Sequence, residues 1–281
     1  MGSAVDLQTY LERIKYAGPA EPSFECLTGI HRCQAFTIPY ENLDIQLGRY
    51  VDRDTQRIFD KLVSRRRGGW CYELHELLLW ALRTIGFDAK LVTAGVHRHE
   101  FGDVRLGDHT AILVRLDDVY LADLGLGDGI RDPIPLIEGT YMQGALSFQL
   151  ERIDCDYWRF HNHAFAYPTT FDFKDATADE TLIDRKSDEL QTSSESLFVQ
   201  NLVCQIMQPE EVTCLTGRVL RQKSAEGTIK KLLAASDFEP VLAEVFGIEH
   251  DEAASVWLKV DARHRLLFGD KTIDEIPLVG F

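Results

Sequence analysis

The stretch from Cys71 to Gly86, CYELHELLLWALRTIG, limits the possible folds more than any other part of the chain. Its apolar positions 71, 74, 77, 78, 81, 82 and 85 follow helical spacing, and Gly86 suits the C-terminal stop. Leu79 and Trp80 add apolar surface on another face. Such a helix must be covered on most sides, so a domain has to be built around it. It begins with a cysteine, two residues after Gly68-Gly69. A small buried residue would fit there. So would a nucleophile, because unpaired N–H groups and the macrodipole at a helix N-terminus lower a thiol pKa. The Gly-Gly pair lets the backbone turn sharply and lets a substrate approach the sulfur.

Three further helices are expected before it. Asp6 can cap one carrying Leu7, Tyr10, Leu11 and Ile14. Ser23 precedes one carrying Phe24, Leu27 and Ile30, and Asp54 can cap one carrying Ile58, Phe59, Leu62 and Val63. From about residue 88 the period changes. AKLVTAGV, HTAILVRL, VYLADL, ALSFQLERI and YWRFH read as strands separated by Gly, Asp or Pro. A polar connection with some helix follows, KDATADETLIDRKSDELQTSSES. LVCQIMQ, EVTCLTGRV and LRQKS read as strands, and FEPVLAEVFGI and DEAASVWLKVDARHRLLF as closing helices. The expected fold is therefore helical, then β, then mixed α/β.

Of the 281 residues 45% are hydrophobic, enough for a sizeable core, and the formal net charge is −15. That balance argues against non-specific nucleic-acid binding and against an anionic membrane surface. An anionic ligand would need a local basic or helix-end site. No apolar run reaches a membrane span, and the first residues lack a signal-peptide pattern, so a cytoplasmic location is expected. None of the six cysteines (26, 33, 71, 155, 204 and 214) forms a C-x-x-C pair. Cys204 and Cys214 read as small buried hydrophobes.

An activated thiol needs a base, and the base an orienting carboxylate. His109 opens a strand in GDHTAILVRL, and Asp123 ends the next in VYLADLGLG. His97 with His99, and His161 with His163, have the i,i+2 spacing that puts two rings on one face of a strand. With no third or fourth ligand they read as exposed loop-edge residues, and no metal is expected.

IPYENLDI (38–45), RRGGWCYEL (66–74), DHTAILV (108–114) and YLADLGLG (120–127), in this order, resemble the arylamine N-acetyltransferase family. The resemblance implies an α+β multi-domain fold: a helical bundle (1–87), a β-barrel (88–185) and an α/β lid (186–281). It implies a Cys-His-Asp triad like that of cysteine proteases, falling on Cys71, His109 and Asp123. It also implies a ping-pong reaction with acetyl-CoA as donor cosubstrate. The acetyl group passes through Cys71 to an arylamine or arylhydrazine, or to the oxygen of an N-hydroxyarylamine. In that scheme an imidazolium at His109 pairs with the thiolate. Tyr40, Val96 and Leu126 fall on acceptor-pocket positions, although core packing accounts for Tyr40 and Val96 equally well. Gly125 and Gly127 fall on a turn near CoA, or simply on a turn that needs permissive angles. Glu41 and Arg67 match an ion pair tying the Pro39 segment to the nucleophile loop. An amide synthase fed by an acyl carrier, a thioester hydrolase and a silent binding module are the alternatives. The oligomeric state stays open.

Three departures matter. Leu126 replaces an aromatic residue, which removes a ring for stacking. His75 replaces an asparagine, either as a structural hydrogen-bonding group or as one that alters the thiol's surroundings. The step from His109 to Asp123 is 14 residues, where many relatives have 15. A two-residue hairpin turn would set Asp123 opposite Ile112 and turn His109 to the other face. A triad therefore requires an odd loop or a bulge between Arg115 and Tyr120, with Asp118 expected at positive φ.

Overall fold

The structure, a computed structural model, describes residues 5–154, 156–269 and 271–277; Gly2, Ser3 and Cys155 lie outside the described residues. Five helices come first: α1 (Leu7–Arg13), α2 (Phe24–Thr37), α3 (Leu43–Gln46), α4 (Thr55–Phe59) and α5 (Cys71–Ile85). The short strand β1 (Tyr40–Glu41) lies between α2 and α3. The expected caps form: Asp6 accepts from Thr9 N–H, Ser23 from Cys26 N–H and Asp54 from Arg57 N–H. Gly86 ends α5 in the left-handed region at φ 109°. Leu77, Leu78 and Leu82 on α5 are fully buried, so this helix is the centre of the first core.

The middle of the chain holds β2 (Asp88–Val96), the short helix α6 (Arg98–Phe101), β3 (Leu106–Arg115), β4 (Val119–Ala122), β5 (Ile134–Pro135), β6 (Gly139–Gln143), β7 (Leu146–Arg152), β8 (Tyr157–His161) and β9 (Thr170–Lys174). They form one antiparallel sheet in the order β5-β4-β3-β2-β9-β8-β7-β6. It curls into a nearly closed barrel. Gln143, at the end of β6, bonds Arg131 N–H, Asp132 N–H and Asp132 C=O just ahead of β5. β7 alternates, with Leu146, Phe148 and Leu150 pointing inward. β2 and β3 are buried on both faces. Leu91, Ile112 and Val114 join the helical core, while Val92, Ala111 and Leu113 join the barrel interior.

The remaining elements are α7 (Glu180–Thr192), α8 (Leu197–Gln200), β10 (Val203–Met207), β11 (Glu211–Thr216), β12 (Val219–Ser224), β13 (Gly227–Leu232), α9 (Ala235–Phe246) and α10 (Ala253–Phe268). A second antiparallel sheet runs β1-β10-β11-β12-β13, so the strand carrying Tyr40 pairs with the last third of the chain. α9 and α10 cover this sheet through Phe238, Leu242, Phe246, Val256 and Val260.

The β3–β4 connection decides whether His109 and Asp123 can meet. Arg115 pairs with Val119 and Ile112 with Ala122, so three residues, Leu116 to Asp118, make the turn. This is the odd loop that a triad requires. In this register Asp123 falls opposite Ala111, on the face that His109 also occupies. One detail differs: Asp118 is not among the residues at positive φ. The three-residue loop turns without a left-handed aspartate. β3 also bulges against β2, between the pairs Ala94–His109 and Gly95–Leu106. Among the described residues no helix is long and apolar enough to cross a membrane.

Candidate active site

Cys71 is the first residue of α5, and its backbone entry is held from two sides. Glu41 N–H donates to Gly69 C=O (2.9 Å) and Gly69 N–H to Pro39 C=O (3.2 Å). Beneath this bridge the Arg67 guanidinium donates to Glu41 Oε1 from Nε (3.1 Å) and Nη2 (2.6 Å), both residues being buried. The ion pair expected from the motifs is present and ties the two segments. A Cβ on Gly68 would lie 2.3 Å from Pro39 O and one on Gly69 2.8 Å from Glu73 Oε2. Neither is at positive φ. The pair admits neighbouring protein atoms rather than making a sharp left-handed turn. Glu73 Oε2 accepts from Trp70 N–H (3.2 Å), closing the start of α5, and Lys61 Nζ lies 3.0 Å away. Burial pushes the Glu73 carboxyl up to about 7 despite that lysine.

Three elements meet at Gly125. A Cβ there would stand 3.0 Å from Cys71 Cβ, 2.8 Å from His109 Cε1 and 2.5 Å from His75 Cε1. Only a residue without a side chain lets all three approach. The Nε2–H of His109 donates to Asp123 Oδ2 at 2.8 Å, with both residues 2% exposed. His109 leans on Phe171 of the barrel, ring centres 4.9 Å apart. Burial opposes ionisation of Asp123, but His109 holds its carboxyl far below the usual carboxylate range.

The Cys71 thiol behaves otherwise than the helix position suggests. Burial pushes its pKa well up, and Asp108 and Asp123 add to this; the N–H groups of Tyr72 and Cys71 itself pull the other way. The helix end does stabilise negative sulfur, but a 2%-exposed thiol loses more in hydration than two amides return.

Two buried histidines complete the setting. His75 Nδ1–H donates to Thr110 Oγ1 (2.9 Å), and His75 Nε2 accepts from Leu124 N–H (3.0 Å). That fixes the neutral tautomer. The 3.3 Å approach of Nε2 to Asp123 Oδ1 is therefore a contact and not an ion pair. His31 on α2 repeats the arrangement: Nδ1–H donates to Arg131 C=O (2.9 Å) and Nε2 accepts from Asp123 N–H (3.2 Å). Burial takes His31 down to about 4. With Gly125 N–H on Asp123 Oδ1 (2.7 Å), three consecutive amides around the carboxylate are tied down. His75 takes the structural reading. His31 carries no motif, and its only sequence signal is a histidine on the buried face of a helix.

Cys71 and His109 line a cavity of about 280 Å³ together with Tyr40, Val96, Gly125 and Leu126. Gly127 does not line it. It sits behind, where a Cβ would strike the Gln205 side chain. Tyr167 and Phe198 also line the cavity, so the structure supplies rings at places other than Leu126. The histidine pairs do not gather ligands. His163 is 2% exposed and bonds Asp128, His97 is 8% exposed and bonds Thr169, and only His161 and His99 are open to solvent. The expectation of exposed loop-edge rings fails for His97 and His163: His97 packs against Tyr167 and bonds Thr169, and His163 packs against Phe165 and bonds Asp128. Among the described residues no group of three or more His, Cys, Asp or Glu is placed to hold a metal.

The profile of a family described as N-acetyltransferase matches residues 23–255. The chain is 30% identical over 276 residues to arylamine N-acetyltransferase 1 of Homo sapiens, covering 87% of this chain and 94% of that protein. It is 29% identical over 279 residues to the pineal gland isozyme of Gallus gallus, covering 88% and 96%. The arylamine N-acetyltransferase structure from M. tuberculosis superposes with a TM-score of 0.82 at 29% identity, covering 92% of this chain and 100% of that one. The Mycobacterium marinum enzyme in complex with CoA superposes with a TM-score of 0.81 at 28% identity, covering 92% and 98%. By profile, sequence and fold together, the chain belongs to the arylamine N-acetyltransferase family of acyltransferases.

Proposed function

We propose that this protein transfers the acetyl group of acetyl-CoA to the nitrogen of an arylamine or arylhydrazine, and to the oxygen of N-hydroxyarylamines, by a ping-pong route through acetyl-Cys71. The observation that carries this is the meeting of the Cys71 and His109 side chains at Gly125, with Asp123 2.8 Å from His109 Nε2. His109 Nδ1 takes the thiol proton as Cys71 sulfur attacks the thioester carbonyl. The tetrahedral oxyanion forms near the start of α5, and collapse expels CoA sulfur, which takes the proton from His109. An amine then attacks the acetyl-cysteine and gives its proton to His109. The Cys71 sulfur departs and recovers that proton. Asp123 remains ionised throughout and steadies the imidazolium.

Tyr40, Tyr167 and Phe198 support an aromatic acceptor in the cavity, with Val96 and Leu126 as aliphatic walls. Gly125, and Gly127 behind it, form the turn we assign to the CoA side. We keep the division into a bundle (1–87), a barrel (88–185) and a lid (186–281) as the working domain scheme. A cytoplasmic location agrees with the free state of the five described cysteines.

Cys71→Ala tests the reading by mass spectrometry after incubation with acetyl-CoA. The wild type should gain one acetyl group and lose it on addition of an aromatic amine, and the variant should gain none. Acetylation of the variant at another residue would defeat the mechanism. A wild type that ignores acetyl-CoA but accepts an acyl group from a carrier protein would point to an amide synthase.

A further inference from the structure

One face of the second sheet forms a wall of the cavity. Tyr40 pairs with Gln205, Gln205 with Cys214, and Cys214 with Arg221. Directly paired residues share a face, and all four side chains line the cavity. Three inter-strand steps place Arg221 about 14 Å from Tyr40 along this row. Tyr40 stands at the nucleophile's end, bridged to Gly69. Lys223, two residues beyond Arg221 on the same face, is already neutralised: its Nζ donates to Asp128 Oδ2 (3.0 Å) and Phe165 C=O (3.0 Å).

Arg221 has no such counter-charge among the described residues. It is 4% exposed, and among the described residues it forms no ion pair. Its Nη1 donates to Val219 C=O at 3.5 Å and its Nη2 to Pro277 C=O at 3.1 Å, while Nε has no partner among the described residues. Another buried arginine makes the contrast. Arg13 spends all three nitrogens on the carbonyls of Leu62, Thr37, Arg66 and Arg67 and does not line the cavity. A guanidinium stays charged in a protein, and a buried charge without a counter-charge is costly. At the wall of a ligand cavity, the group that completes such a site is an anion from the ligand.

We propose that the Arg221 end of the cavity binds an anionic oxygen group, carboxylate or phosphate, on a molecule whose other end reaches Cys71. It gives an acidic chain the local cation that an anionic substrate requires. Two sources share the chemistry: a carboxylate on the amine acceptor and a phosphate of the thioester donor. Their part in catalysis rests on the acetyl-transfer reading, whereas the binding site does not.

Calorimetric titration of the resting protein tests the site without turnover. One pair of probes is 4-(4-aminophenyl)butanoate and its primary amide; the other is CoA and pantetheine. In one pair the anionic member should bind at least about tenfold tighter, a range set by charge-assisted hydrogen bonds to arginine. Preference in the first pair assigns the site to the acceptor, and in the second to the donor. Arg221→Gln should abolish the preference, with the fold checked by circular dichroism. Arg221→Lys, which keeps the charge but loses the planar fork, should reduce it and serves where the glutamine variant fails to fold. Absence of preference in both pairs, or a preference that survives these substitutions, would overturn the proposal. Failure of Cys71 acetylation would leave these binding results standing.

Discussion

At the residue scale, the departure of His75 from the usual asparagine finds its meaning in hydrogen bonding. Only its Nε2 lone pair and Nδ1–H are used, on Leu124 N–H and Thr110 Oγ1. An asparagine offers one acceptor and one donor of the same kind. His75→Asn should therefore keep most activity. His75→Leu leaves a buried amide and hydroxyl without partners and should lower the acetylation rate about tenfold or more, with little change in the KM for acetyl-CoA. Measured rates for both variants decide this; a leucine variant as fast as the wild type would show that Leu124 needs no clamp.

At the element scale, the three residues between Arg115 and Val119 set the phase of the site. They keep Asp123 on the barrel-side face that His109 occupies. Deleting Asp117 leaves a two-residue turn, which in a regular hairpin moves Asp123 to the opposite face. The expected result is a loss of acetyl-enzyme formation of at least about a hundredfold, read by rapid-quench mass spectrometry. Retained acetylation would mean that the clamps from α2 and α5 override the turn. Of the strands missed in the sequence, β9 is an inner one between β2 and β8, while two others have a related explanation. β6 and β13 are sheet edges, with Met142 and Ile229 exposed and lysines along β13. Edge strands lack the apolar alternation that marks the inner ones.

At the scale of the whole molecule, the neutral histidines couple stability to pH. His31 takes a proton near pH 6.5 when unfolded and only near 4 in the fold. Between those values the unfolded chain binds more protons. The contribution of His31 is therefore complete above pH 6.5 and is lost as the pH falls toward 4, by roughly 3 kcal/mol. Urea titrations across this window should give a flatter pH profile for His31→Asn than for the wild type. Parallel profiles would show that His31 is not buried neutral.

Features that depend on near neighbours were legible in the sequence. Helix caps at Asp6, Ser23 and Asp54 need only the next three residues, and the central helix follows from its own periodicity. The 14-residue step forced an odd loop because side chains on a strand alternate. The ordered motifs named Cys71, His109 and Asp123. Features that depend on distant partners emerge only when the chain is packed. His31 reaches Asp123 across 92 residues of chain. The row from Tyr40 to Arg221 exists because β1 crosses to a sheet built from the last third of the chain. The burial that pushes the thiol pKa up also escaped the sequence. A helix N-terminus is a local feature that favours the anion, but burial is a property of the packed molecule, and here burial prevails.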